Sequence, residues 1–118
     1  MLLTLTAAER RLAISATAPG NYEISRVPAA GPPLHQCMAD VLALARIEHR
    51  GQNCTHVVIS NDASSTVIHY TCPNAGFGRS KLTMITPRSL RIETQGISGG
   101  YPFNYVVHAR RTGDCRLH

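Results

Sequence analysis

Hydrophobic and polar positions alternate through most of the second half of the chain. Leu90, Ile92 and Thr94 interleave with Arg91, Glu93 and Gln95 over Ser89 to Gln95. Phe103, Tyr105, Val107 and Ala109 share one side of Phe103 to Arg110. A period of two places alternate side chains on opposite faces of a strand. Cys54 to Ser60, Thr66 to Cys72 and Arg79 to Thr86 are rich in Val, Ile and Thr and are separated by short turn-like stretches. Five strands on short connections predict an antiparallel meander.

The first half is more mixed. Asn21 to Val27 reads as a further strand, and Pro28 to Pro33, with three prolines and a glycine, reads as a loop. Over Cys37 to His49, Met38, Val41, Leu42 and Ala45 recur at helical spacing and Gly51 follows as a stop, which predicts the main helix. Thr6-Ala7-Ala8-Glu9 has the capping-box pattern of a short helix to about Ile14. The predicted fold class is α+β: a curved antiparallel meander of five to six strands, its apolar face covered by the 37–49 helix. Residues 1–18 form an N-terminal extension and 19–118 a single domain.

Length and composition narrow the function classes. A chain of 118 residues that is 43% hydrophobic supports one modest core and excludes a two-lobed enzyme. No apolar run approaches the roughly 20 residues of a membrane-spanning helix. The opening Met1-Leu2-Leu3 is apolar, but Glu9, Arg10 and Arg11 interrupt it, so no signal peptide is visible.

Four cysteines at long spacings (Cys37, Cys54, Cys72, Cys115) suit a disulfide framework in an oxidising compartment. Without a Cys-x-x-Cys pair they do not suit a zinc ribbon or a dithiol redox site. If Ser60 opposes Thr66 across the hairpin, facing residue numbers sum to 126 and Cys54 faces Cys72, with β-carbons about 4.5–5.5 Å apart. The predicted helix must end near the first meander strand. Its start therefore lies toward the end of the sheet where the last strand finishes, which favours Cys37–Cys115. By loop entropy the two bridges are worth roughly 3 and 4.5 kcal/mol. The alternative is four buried thiols.

Candidate chemistry is sparse. Cys54, His56 and Cys72 share a face, but alternation sets His69 on the other, so no four-ligand metal site converges. The seven carboxylates show no acid/base pairing, and Gly76-Phe77-Gly78-Arg79-Ser80-Lys81 lacks phosphate-loop spacing and reads as a turn. No catalytic residue, metal ligand or cofactor is assigned, and the expectation is a non-enzymatic module.

The net charge of +5 is the most usable functional hint. Arg79, Lys81 and Arg91 fall on adjoining strands with Arg88 in the turn between, and Arg110, Arg111 and Arg116 cluster near the end. Arg79, Lys81, Arg88, Arg91, Arg110 and Arg111 are either scattered solubilising charge or a candidate anion-binding set, for an acidic envelope polymer or lipid head group. Nucleic acid is disfavoured, because only six aromatics are present and those on the strands read as core or turn residues. Leu82, Met84, Leu90, Ile92, Phe103, Tyr105 and Val107 line either a plain core or a concavity for a small apolar ligand.

The order Gly20-Asn21-Tyr22-Glu23-Ile24, then Cys37, Cys54 and Cys72, then Arg111-Thr112-Gly113-Asp114-Cys115 resembles the bacterial domain-of-unknown-function 3617 family. The resemblance covers Pro19 to Cys115; Tyr22 stands where that family usually has Trp. It implies a small, secreted or periplasmic, β-rich domain and implies no activity.

Overall fold

The computed structural model describes residues 18–38, 40 and 42–115. The N-terminal helix expected over 6–14, and Arg116, lie outside them. The chain forms one seven-stranded, wholly antiparallel sheet: β1 (Gly20–Val27), β2 (Leu34–Met38), β3 (Thr55–Asn61), β4 (Ser65–Cys72), β5 (Gly76–Thr86), β6 (Ser89–Ser98) and β7 (Tyr101–Gly113). The spatial order is β2-β1-β7-β6-β5-β4-β3. β3 to β7 are the expected meander, and β7 also pairs with β1, so the first and last strands are neighbours.

The expected 37–49 helix is not formed, so the fold is nearly all β rather than α+β. Cys37 and Met38 belong to β2, which hydrogen-bonds along β1 from Gly20↔Met38 to Ile24↔Leu34. Among the described residues only Leu42–Ala45 (α1) is α-helical, followed by a 3-10 turn at Ile47–His49. Asp40 caps α1, its carboxylate accepting from the Leu42 amide at 2.9 Å. The physical reason lies in β1. Its free edge needs a ladder partner, and Leu34-His35-Gln36-Cys37-Met38 carries its own period of two, with Leu34, Gln36 and Met38 turned inward. A non-local ladder thus overrides the local helical preference.

Residues 42–49, which lie between β2 and β3 in the chain, close one face of the sheet. Leu44, Ala45 and Ile47 pack there on Tyr22, Ile24, Ile68, Leu82, Leu90, Ile92, Val107 and Ala109, all of them buried. The Ser80 hydroxyl donates to the Ala45 carbonyl and lies 2.8 Å from the Thr94 hydroxyl, pinning the segment to the sheet. The glycine-rich stretch 76–81 is strand, not turn. Gly78 is needed because a β-carbon there would stand 2.5 Å from the Tyr70 hydroxyl. The turn is Pro73–Ala75, with Asn74 at φ 65°.

Both disulfides are present: Cys54–Cys72 with Cα atoms 4.2 Å apart and Cys37–Cys115 at 5.4 Å. Thr55↔Thr71 to Val58↔Ile68 keep the sum of 126 that sets Cys54 against Cys72. The assumed Ser60↔Thr66 pairing is not observed: Asn61 opposes Thr66, and an irregularity between Val58 and Ser60 absorbs the extra residue. Cys37–Cys115 bridges from strand β2, not from a helix. Cys37 opposes Asn21 and Asn21 opposes Gly113, so the bond spans the start of β1.

Candidate anion-binding face

The uncovered face of the sheet is built by the odd-numbered residues of β5 and β6 and the even-numbered residues of β7. Alternation in β5 turns Ser80 and Leu82 into the core and Arg79 and Lys81 out to solvent. The register then aligns rows across four strands: His69, Arg79, Gln95 and Asn104, and beside it Val67, Lys81, Glu93 and Val106. A shallow groove of about 440 Å³ runs over the first row, with Phe77 and Ile97 as its apolar wall. A second, of about 330 Å³, continues past Lys81 and Glu93 and shares Arg79, Gln95 and Asn104.

The six candidate cations are not equivalent. Arg91 lies 4.0 Å from Glu93, and Arg110 lies 3.6 Å from Glu23. Both pairs are exposed and strongly screened. Arg111 turns to the opposite face, where it pairs with Asp114 and its Nε donates to the Pro19 carbonyl at 2.9 Å. It is a packed residue that occupies the space beside Gly20. Arg88 sits in the exposed β5–β6 turn at the end of the sheet. Arg79 and Lys81 have no carboxylate within 4.0 Å among the described residues, and both are exposed. Two residues apart on one strand, their Cα atoms stand about 7 Å from each other beside the groove.

The covered face holds the other candidate set. Leu82, Leu90, Ile92 and Val107 are buried core, and Met84, Phe103 and Tyr105 are half-buried around it. Leu44, Ala45 and Ile47 occupy the space a ligand would need. What stays open on that side is a notch of about 320 Å³ beside Arg26, Leu34, Glu48 and Tyr105.

Next to the notch, sequence reasoning missed a polar network. Tyr105 donates to Glu48 at 2.8 Å, and the Arg26 guanidinium lies 3.6 Å from the centre of the Tyr105 ring. His49, buried, makes contacts of 2.9 Å to the Tyr70 hydroxyl and 3.1 Å to the Ala75 carbonyl. The carbonyl can only accept, so Nε2 donates, and in the neutral ring Nδ1 accepts from Tyr70. Burial pushes the Tyr70 hydroxyl up to about 12, with the Glu48 carboxylate adding to it. Burial raises Tyr105 further, again helped by Glu48, and raises Tyr22 against the opposing pull of Arg111. These hydroxyls stay protonated donors at neutral pH and serve packing.

Among the described residues no cluster of three His, Cys, Asp or Glu could hold a metal ion, and no buried side-chain polar atom lacks a partner. With all four sulfurs in disulfides, no thiolate remains as nucleophile or ligand. Arg79 and Lys81 were legible from the sequence, whereas His69, Phe77, Gln95 and Asn104 join them only through cross-strand register. Comparisons with protein-family models, with curated proteins and with solved structures produced no match to this chain.

Proposed function

We propose that the protein is a non-enzymatic extracytoplasmic binding module whose open sheet face holds an acidic cell-envelope polymer. The observation that carries this reading is the position of Arg79 and Lys81, adjacent on the uncovered face and beside a groove, with no carboxylate within 4.0 Å of either among the described residues, although Glu93 stands across from Lys81. The two disulfides support the compartment, since such bonds persist in oxidising spaces outside the cytoplasm. The four-cysteine family that the sequence resembles implies the same placement. Amide side chains at Gln95 and Asn104 offer donors and acceptors to hydroxyl groups of a sugar chain, and Phe77 offers an apolar wall. Nucleic acid fits less well, because single-strand binders stack successive bases on several aromatics and this groove has few.

The test is retention on an immobilised acidic polysaccharide, with a neutral polysaccharide and duplex DNA as comparisons. The double variant Arg79→Ala/Lys81→Ala should weaken binding at least tenfold and flatten its salt dependence by about two, roughly one for each lost cation–anion contact. Arg88→Ala should leave both unchanged. Equal binding by the double variant, or tighter binding to DNA than to the acidic polysaccharide, would overturn the proposal.

A further inference from the structure

The sheet has two edges, and they are protected very differently. β2 is short, presents His35 and Cys37 outward, and is fastened by the Cys37–Cys115 bond. β3 is seven residues long and pairs only with β4, so one row of its backbone donors and acceptors is unpaired among the described residues. It exposes three consecutive apolar side chains: Val57 at 59%, Val58 at 50% and Ile59 at 51%. Natural edges are usually blunted by a charge or a proline, and β3 has neither. Its bulge is the one protective device present.

We infer that β3 is the contact edge of a weak homodimer in which two copies pair antiparallel across a twofold axis, joining two sheets into one. Charge admits a second copy as the occupant, and the strand's own apolar pattern matches it. From Cys54 to Cys72 the only formal charge is Asp62, in a chain that carries 12 Lys+Arg and 7 Asp+Glu. A second copy, itself at +5, can approach along this hairpin without setting cation against cation. Symmetry fixes the register. An antiparallel ladder alternates hydrogen-bonded and non-hydrogen-bonded pairs, so a twofold axis must set a residue against itself. With Val58 on the axis, Val57 faces Ile59 of the partner subunit and all three exposed apolar residues find apolar partners. The bulge between Val58 and Ser60 shortens the regular ladder, so few backbone bonds form and the association is weak. The open faces of both copies would then lie side by side, with β4 and β5 of each flanking the axis.

Sedimentation equilibrium of the intact oxidised protein over about 10 μM to 1 mM, the range in which weak association is populated, tests the inference. The weight-average mass should climb from 12.8 kDa toward twice that value. Val58→Lys puts two ammonium groups face to face and should weaken association at least tenfold. Val58 is half exposed, so the variant should fold, which circular dichroism checks. Independently of any variant, amide exchange over Thr55 to Ile59 in the wild-type protein should slow as concentration rises. A wild-type mass that stays at one chain, a dimer that survives Val58→Lys, or exchange protection at β3 that is independent of concentration would each overturn it.

Discussion

Removing one disulfide at a time should separate two contributions of unequal size. Cys37 and Cys115 are 78 residues apart and Cys54 and Cys72 are 18 apart. The chain-entropy relation assigns the longer closure about 4.5 kcal/mol and the shorter about 3.2 kcal/mol at 25 °C. The structure widens the gap. Cys37–Cys115 fastens β2, β1 and the end of β7, which hold Tyr22, Ile24 and Met38 in the core. Cys54–Cys72 fastens β3, whose side chains are mostly exposed, so its loss frays an edge that buries little. The variants are Cys37→Ala/Cys115→Ala and Cys54→Ala/Cys72→Ala, with alanine chosen because Cys72 is buried and a serine hydroxyl there would need a partner. Urea unfolding followed by circular dichroism gives each loss. The first should cost at least about 4.5 kcal/mol, a large share of the 5–15 kcal/mol typical of a small domain, and the second about 3 kcal/mol. A larger loss for the Cys54–Cys72 pair would refute the argument, as would an intact oxidised mass lacking the deficit of about 4 Da that two bridges require.

Two further outcomes follow from the buried hydroxyls. Tyr70→Phe keeps the ring but leaves His49 Nδ1 buried without its donor, and should cost about 1–3 kcal/mol in urea unfolding; Tyr101→Phe, at 76% exposure, should stay within about 0.5 kcal/mol, and equal effects would sink this reading. In alkali, Tyr70 titrates from 10.0 in the unfolded chain and about 12 in the folded one, so its contribution is complete below pH 10 and is lost as pH rises toward 12. Phenolate absorbance should therefore lag at pH 11 in native protein while appearing at once in urea. Native absorbance equal to that in urea at pH 11 would contradict it.

The alternating segments were readable because their signal is local. Leu90, Ile92 and Thr94 are buried and Arg91, Glu93 and Gln95 exposed, as the spacing implies. The Cys54–Cys72 pairing follows from a register that holds over Thr55 to Val58, although the loop beyond it is one residue tighter than assumed. The bulge absorbing that residue has no sequence mark, because Val-Val-Ile-Ser suits a regular strand equally well. The Cys37 to His49 segment was misread since a helix and a strand compete there on similar apolar content. β1, present only in the folded chain, breaks the tie. Arg79 and Lys81 were legible as outward-facing cations. Arg111 was not separable from them, because its packing against Gly20 and Pro19 depends on the β1–β7 pairing.

The sequence by itself determined which stretches alternate, which side chains in each share a face, and that the chain carries enough cysteine for two cross-links. Tertiary structure decided that β2 is a strand, that residues 42–49 cover one face, and therefore that Arg79 and Lys81 stand on the open one. The division has a physical cause. Alternation is a property of neighbouring residues, whereas the covered face and the free edge depend on pairing between distant segments, whose energy no single stretch contains.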